Sequence, residues 1–123
     1  MKITIAQLNN TVGDIDGNIA KAIETILDQN NRHSDLVIFS ELFISGYPPE
    51  DLVLKNSFLD ACFKGLQKIV NYTKNLNTGV IIGLPIREKD KIYNCAVLID
   101  KGKILGISKK KSLPNYSVFD EKR

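Results

Sequence analysis

The sequence predicts an α/β fold, with a sheet that starts with parallel strands and ends in a hairpin. Short β-branched segments alternate with two segments of helical periodicity, and a turn sequence at Asp100-Lys101-Gly102 separates the last two strands. Alternating strands and helices are typical of parallel sheets, because each helix returns the chain to the same end of the sheet.

The first half of the chain predicts two strands around one helix. Residues 3–8 are β-branched and apolar and predict a buried strand, and residues 9–17 form a polar loop with two turn signals. A helix is expected from about Asn18 to Asn30. Residues 35–40 predict a second strand that is apolar on both faces, as central parallel strands are. The apolar stripe of the helix consists of Ile19, Ala22, Ile23, Ile26 and Leu27.

The second half predicts one helix and three strands. Residues 41–55 are expected to be a long loop, followed by a helix capped by Ser57. Strands are expected at residues 80–84, 93–99 and 104–107, and the tail at 109–123 has no periodicity and predicts a loop. Nothing further along the chain could cover the second face of the sheet, so we expect that face to be open. The apolar face of the helix consists of Phe58, Cys62, Leu66, Ile69 and Val70.

Composition indicates one soluble domain. The chain has 123 residues, of which 43% are hydrophobic and 25% are charged, and its net charge is +3. That balance argues against a nucleic-acid or membrane partner. Two cysteines are too few for a disulfide scaffold, which indicates a reducing compartment. With no signal peptide and no apolar stretch of about 20 residues, we expect a cytoplasmic protein.

Glu41 is the first candidate for chemistry, because it directly follows a buried strand. Ligands of open α/β sheets bind at the carboxyl ends of the strands. A carboxylate partly withdrawn from water there suits a general base. The alternative is a solvated loop glutamate or a helix cap, and position alone favours that alternative.

The lysine run Lys109-Lys110-Lys111 is the second candidate. Most lysine triplets are solvated surface charges. A functional role requires one lysine turned inward, where its charge could stabilise a tetrahedral oxyanion. Spacing alone does not choose among the three.

The cysteines and the single histidine carry weaker signals. Cys62 lies on an apolar helix face and Cys95 in an apolar strand, and neither position offers the access and lowered pKa that a nucleophile needs. We therefore interpret both as core residues. His33 stands alone in a polar loop, and the chain has no Gly-x-x-x-x-Gly-Lys-Ser/Thr loop, so we expect neither a metal nor a cofactor in this chain.

Several segments together resemble the nitrilase superfamily of carbon–nitrogen hydrolases over the whole chain. More narrowly, the chain is similar to the N-terminal glutamine-amidohydrolase domain of glutamine-dependent NAD+ synthetases. The two narrowest motifs are Gly46-Tyr47-Pro48-Pro49-Glu50-Asp51-Leu52 and Leu113-Pro114-Asn115-Tyr116 followed by Val118-Phe119-Asp120-Glu121-Lys122-Arg123. The broader segments are Ala6-Gln7-Leu8-Asn9, Val12-Gly13-Asp14, Gly17-Asn18, Phe39-Ser40-Glu41-Leu42, Ile82-Gly83-Leu84-Pro85, Tyr93-Asn94-Cys95-Ala96 and Lys110-Lys111-Ser112.

The resemblance implies a catalytic set of glutamate, lysine and cysteine. Glu41 matches the general base, Lys110 the lysine that stabilises the oxyanion, and Glu121 a second glutamate that holds this lysine. Tyr116 and Phe119 match the glutamine pocket, and Tyr47 is a further candidate for it. No residue matches the cysteine, which in this family follows the lysine loop.

The resemblance also implies what lies outside the chain. Residues 1–123 match the N-terminal portion of an α-β-β-α sandwich, without its nucleophile-bearing remainder and without the ATP-dependent synthetase domain. ATP and Mg²⁺ belong to that second domain, which amidates deamido-NAD+ with ammonia released from glutamine. We therefore expect this chain alone to be inactive. Two alternatives stay open: a non-catalytic product of a split or decayed gene that associates through its open sheet face, as a homo-oligomer or with another chain, and another amidase of the superfamily.

Overall fold

The computed structural model describes residues 1–113, which form one five-stranded sheet and two α-helices. The strands are β1 (Ile3–Ile5), β2 (Leu36–Ile38), β3 (Gly79–Glu88), β4 (Lys91–Asp100) and β5 (Lys103–Ser112), and the helices are α1 (Ile15–Asn31) and α2 (Asn56–Tyr72), with a short 3₁₀ helix at Glu50–Leu54. The predicted α/β class is confirmed. No helix within residues 1–113 is long and apolar enough to span a bilayer.

The sheet has the simple strand order β1-β2-β3-β4-β5. β1, β2 and β3 pair in parallel, and β4 pairs antiparallel with β5, as the sequence predicts. β3 also pairs antiparallel with β4, which the sequence did not predict. The two parallel crossovers pass through α1 and α2, which pack on each other and on one face of the sheet. The helices approach closely at Gly65, where an added Cβ would lie 2.8 Å from the Ile19 side chain.

Both helices begin earlier than the sequence predicts. α1 begins at Ile15 rather than near Asn18, because the Asp14 carboxylate caps it by accepting a 3.1 Å hydrogen bond from the Gly17 nitrogen. The predicted Ser57 cap of α2 is wrong. α2 follows directly on the 3₁₀ helix, its N-cap is Lys55 with no side-chain cap, and Ser57 lies inside the first turn.

Strand lengths also differ from the expectations. β1 and β2 contain three residues each, shorter than predicted, while β3 continues through Pro85 to Glu88. Residues 109–112, predicted to be loop, belong to β5, because their backbones pair with residues 93–95 of β4 despite the weak strand preference of lysine. The rest of the predicted tail, 114–123, lies outside the described residues.

The sheet buries one face and leaves the other open. In one register row Thr4 bonds to Gln29 of α1, and the aligned Val37, Val80 and Ile99 are fully buried. The next row points the opposite way. Ile5 is 60% exposed, Leu98 is 37% exposed, and the two residues between them are half-buried. We call this row, Ile5, Ile38, Ile81 and Leu98, the open face; it agrees with the expected uncovered face.

Candidate active site

Glu41 lies at the carboxyl end of β2. The pairing of β2 with β3 continues past Ile38, because the Phe39 nitrogen donates to the Ile81 oxygen over 2.9 Å, and Glu41 follows two residues later. This is the edge of a parallel sheet at which ligands bind. We expected Glu41 to be partly withdrawn from water, but it is exposed, since no described element covers the open side of the sheet.

The backbone that follows Glu41 is held in an unusual conformation. Leu42 has φ +52 although its side chain is fully buried, and Gly46 has φ +86. A left-handed conformation is unfavourable for leucine and persists only where surrounding contacts impose it. Two hydrogen bonds do so here: Gly46 N donates to Leu42 O over 2.9 Å, and Ile44 N donates to Gly83 O over 3.1 Å.

Two asparagines, Asn18 and Asn10, fix this segment from the other side. The Asn18 side chain accepts from Thr11 N at 2.9 Å and donates to Thr11 O at 2.8 Å and Ile44 O at 3.1 Å. Asn10 Nδ2 donates to Phe43 O at 2.8 Å. Asn18 is fully buried with its side-chain hydrogen-bonding groups engaged. The segment after Glu41 is therefore anchored to the loop that precedes α1.

Asn94 of β4 contacts Glu41 directly. Its Nδ2 donates to Glu41 Oε2 over 2.6 Å, although 53 residues separate them in the chain. Asn94 is fully buried, and its Oδ1 has no hydrogen-bond partner among the described residues. A buried unsatisfied amide oxygen costs about 1–3 kcal/mol. This atom therefore calls for an explanation beyond the contacts of residues 1–113.

Lys110 occupies a β-bulge beside Asn94. β5 pairs Lys111 with Asn94 and Lys109 with Cys95, so Lys110 is the extra residue opposite that step. Lys110 is exposed rather than turned inward. The structure thus brings Glu41 and Lys110 to the same stretch of β4, one through a hydrogen bond to Asn94 and the other through the bulge.

The neighbouring Lys109 is already engaged. It forms an ion pair with Glu88, and its Nζ lies 5.0 Å from the centroid of the Tyr93 ring. Its hydrogen bond to Glu88 raises the pKa of Lys109. Both partners are about half exposed, so this surface pair adds little stability.

The remaining predicted site residues are not brought together by the described structure. Tyr47 is 59% exposed and precedes a cis peptide bond to Pro48. Glu121, Tyr116 and Phe119 lie outside the described residues.

The two cysteines are core residues, as predicted. Cys62 is fully buried, and this burial raises its pKa to about 12; Cys95 is 2% exposed, and burial likewise raises its pKa. A thiol with a raised pKa remains protonated near neutral pH and is a poor nucleophile. Residues 1–113 contain no cluster of three or more histidine, cysteine, aspartate or glutamate side chains suited to a metal.

Sequence reasoning missed the residues that shape this site. Asn94, Asn18 and Gly83 stand in segments that carry the family resemblance, but spacing gave them no role. A signal existed for Asn94, because an amide within an otherwise apolar strand is unusual and calls for a buried partner. Leu42 had no sequence signal, since its left-handed backbone depends on contacts with distant residues.

A family model for carbon–nitrogen hydrolases matches residues 2–122. The chain belongs to the carbon–nitrogen hydrolase family.

Among curated relatives, the chain is similar to glutamine-dependent NAD(+) synthetases. It is 50% identical to that of Thermotoga maritima and 47% identical to that of Aquifex aeolicus, over 123 residues in both cases. Each alignment covers 100% of this carbon–nitrogen hydrolase chain and 21% of the relative. The chain therefore spans about a fifth of the length of these relatives.

Solved structures show the same fold. A glutamine-dependent NAD(+) synthetase from Cytophaga hutchinsonii matches with TM-score 0.84 and 29% identity, over 92% of this chain and 19% of that chain. A nitrilase-superfamily amidase from Nesterenkonia AN1 matches with TM-score 0.76 and 21% identity, over 89% of this chain and 42% of its own. The sheet described here is thus part of a nitrilase-like fold.

Proposed function

We propose that this chain is the portion of a glutamine-dependent NAD+ synthetase that supplies the base and the lysine of its glutamine-hydrolysing site. The observation that carries the proposal is the 50% identity to the Thermotoga maritima synthetase over all 123 residues of this chain. The position of Glu41 beside Asn94 and the Lys110 bulge supports it.

The proposed reaction begins at a cysteine outside residues 1–123. Glu41 accepts the thiol proton, and the thiolate attacks the side-chain amide carbon of glutamine. Lys110 opposes the negative charge on the amide oxygen, and Glu121 holds Lys110 in place. The C–N bond then breaks, Glu41 returns the proton to the departing ammonia, and water hydrolyses the thioester to glutamate. Tyr47, Tyr116 and Phe119 line the glutamine pocket.

On this proposal the 123-residue chain alone does not turn over glutamine. The buried thiols of Cys62 and Cys95 are protonated near neutral pH, so neither can replace the missing nucleophile. Loss of a catalytic nucleophile lowers kcat by several orders of magnitude, about 10⁶-fold in a well-studied case.

ATP and Mg²⁺ belong to the other part of the proposed enzyme. The described residues do not fit either group, because they contain neither a cluster of carboxylates suited to a metal nor a phosphate-binding glycine loop. The ammonia released at Glu41 is consumed there in the amidation of deamido-NAD+.

The test uses the natural-length protein, by which we mean the longer synthetase of which we propose this chain is a part. It measures ammonia release from glutamine and then amidation of deamido-NAD+ with ATP. Glu41→Gln should abolish glutamine-dependent synthesis but leave synthesis from added ammonium. Ammonia release by the 123-residue chain that survives Cys62→Ala and Cys95→Ala would overturn the mechanism. Hydrolysis of other amides but not of glutamine would instead support a different amidase of the family.

A second candidate function follows from the open face. Ile5 and Leu98 expose an apolar row, and such a surface favours association. If the chain exists at this length, a non-catalytic association module is the expected role, with a second copy on this face. Mass that rises with concentration in sedimentation supports this role, and a monomer at high concentration counts against it.

A further inference from the structure

We propose that Asn94 is a positioning residue that holds the Glu41 carboxylate in one orientation for proton transfer. The inference rests on the proposed function, because it gives Glu41 its partner within the same site. It adds a residue to the reaction that neither touches the substrate nor moves a proton.

The geometry supports a directional role. A carboxylate only accepts hydrogen bonds, so the amide nitrogen of Asn94 must face Glu41 Oε2 over the observed 2.6 Å. Asn94 stands in the middle strand of an antiparallel triple, paired with Pro85 on one side and Lys111 on the other. The donor is therefore rigid, whereas Glu41 lies on an exposed turn with a long, flexible side chain.

The hydrogen bond from Asn94 makes the two carboxylate oxygens of Glu41 inequivalent. Oε2 is occupied by Asn94, while Oε1 receives no hydrogen bond from residues 1–113. A base must present one oxygen to the proton within about 2.6–3.2 Å. Fixing Oε2 aims Oε1 in a single direction, which removes unproductive rotamers before the substrate arrives.

The contacts of residues 1–113 do not account for an asparagine here by stability, since its Oδ1 is buried without a donor among them. A leucine of similar size would leave no orphan oxygen. The contrast is Asn18, which is equally buried but engages both its amide oxygen and its amide nitrogen in hydrogen bonds.

The test compares Asn94→Leu with Asn18→Leu in the natural-length protein. For Asn94→Leu we expect kcat reduced roughly 10- to 100-fold with KM within about twofold of wild type, in protein that is fully folded at the assay temperature. Asn18→Leu should lower the unfolding temperature, because it leaves the Thr11 and Ile44 backbone groups unpaired. A purely structural Asn94 would instead behave like Asn18, with activity falling only with the folded fraction, and this outcome would overturn the proposal.

Two further readouts separate this inference from the proposed function. Asn94→Asp places a second carboxylate against Glu41, so the acid limb of the pH–activity profile should move to higher pH. An unmoved limb would count against the proposal. In a crystal structure of Asn94→Leu, the Glu41 carboxylate should leave its wild-type position. If wild type releases no ammonia from glutamine, the proposed function fails, and this crystal structure alone decides the role of Asn94.

Discussion

The backbone nitrogen of Leu42 lies 2.7 Å from the point that a β-carbon on Gly83 would occupy. Gly83 therefore permits the close approach of the segment that carries Glu41 to the surface of β3. The hydrogen bond from Ile44 N to Gly83 O holds this segment against β3. A side chain at residue 83 would push this segment away from the sheet, together with the Glu41 carboxylate.

Gly83→Ala should therefore lower the free energy of unfolding by about 1–3 kcal/mol, because the new methyl group meets backbone rather than a flexible side chain. Gly106→Ala is the matched control, since an added Cβ there has no atom of residues 1–113 within 4 Å. The control should be neutral or stabilising by up to about 1 kcal/mol. Urea denaturation measures both, and equal effects at the two glycines would contradict the packing argument.

Sequence patterns predicted some elements of this fold and missed others. The alternation of strands and helices predicted the α/β class, and the turn at Asp100-Lys101-Gly102 predicted the last hairpin, because both signals are local. The start of α1 was missed because Asp14 and Gly17 were both interpreted as turn residues, whereas Asp14 caps the helix and Gly17 lies in its first turn. The strand at residues 109–112 was missed because pairing with β4 overrides the low strand preference of lysine.

The site itself was predictable only in part. Glu41 could be found because it ends an apolar strand, and the family resemblance chose Lys110 among three lysines. The bulge at Lys110 depends on the register of β4 with β5, and the bond from Asn94 to Glu41 joins residues 53 positions apart. Register and long-range contacts of this kind leave no periodic signal in the chain.

The lysine run provides a second prediction. In the proposed enzyme, Lys110→Met should reduce the kcat of glutamine hydrolysis by roughly 10²–10³-fold, because it removes the charge that we propose opposes the oxyanion. Lys109→Met is the matched control, since Lys109 is held by Glu88 and Tyr93. Steady-state kinetics of the natural-length protein measures both variants. A larger loss of kcat for Lys109→Met than for Lys110→Met would mean that Lys109, and not Lys110, has the oxyanion role.

The raised pKa of Cys62 makes stability depend on alkaline pH. Its pKa is 9.0 as a reference value and about 12 in the folded protein, so the thiol ionises first in the unfolded state. The stabilisation from burying the neutral thiol is present below about pH 9 and is lost as pH rises toward about 12.

Cys62→Ala removes this contribution but retains all other titrating groups. The stability difference between wild type and Cys62→Ala should therefore shrink as pH rises from about 9 toward about 12. Urea denaturation at several pH values measures it. If the stability difference stayed constant over this pH range, burial would not be keeping the Cys62 thiol protonated in the folded state.

The open face gives a prediction that depends on chain length. Ile5→Lys should cost less than about 0.5 kcal/mol in the 123-residue chain, where Ile5 is 60% exposed. In the natural-length protein, where we propose that later residues cover this face, the same change buries an unpaired charge and should cost at least about 2 kcal/mol. Denaturant unfolding of both lengths gives the comparison.

Leu27→Lys is the control for this comparison. Leu27 is 38% exposed on α1, on the helical side of the sheet, and should lose a similar amount of stability at both lengths. The 123-residue Ile5→Lys chain should also associate less than wild type in sedimentation, because the charge interrupts the row from Ile5 to Leu98. Equal costs of Ile5→Lys at both lengths would show that the open face stays uncovered in the longer protein.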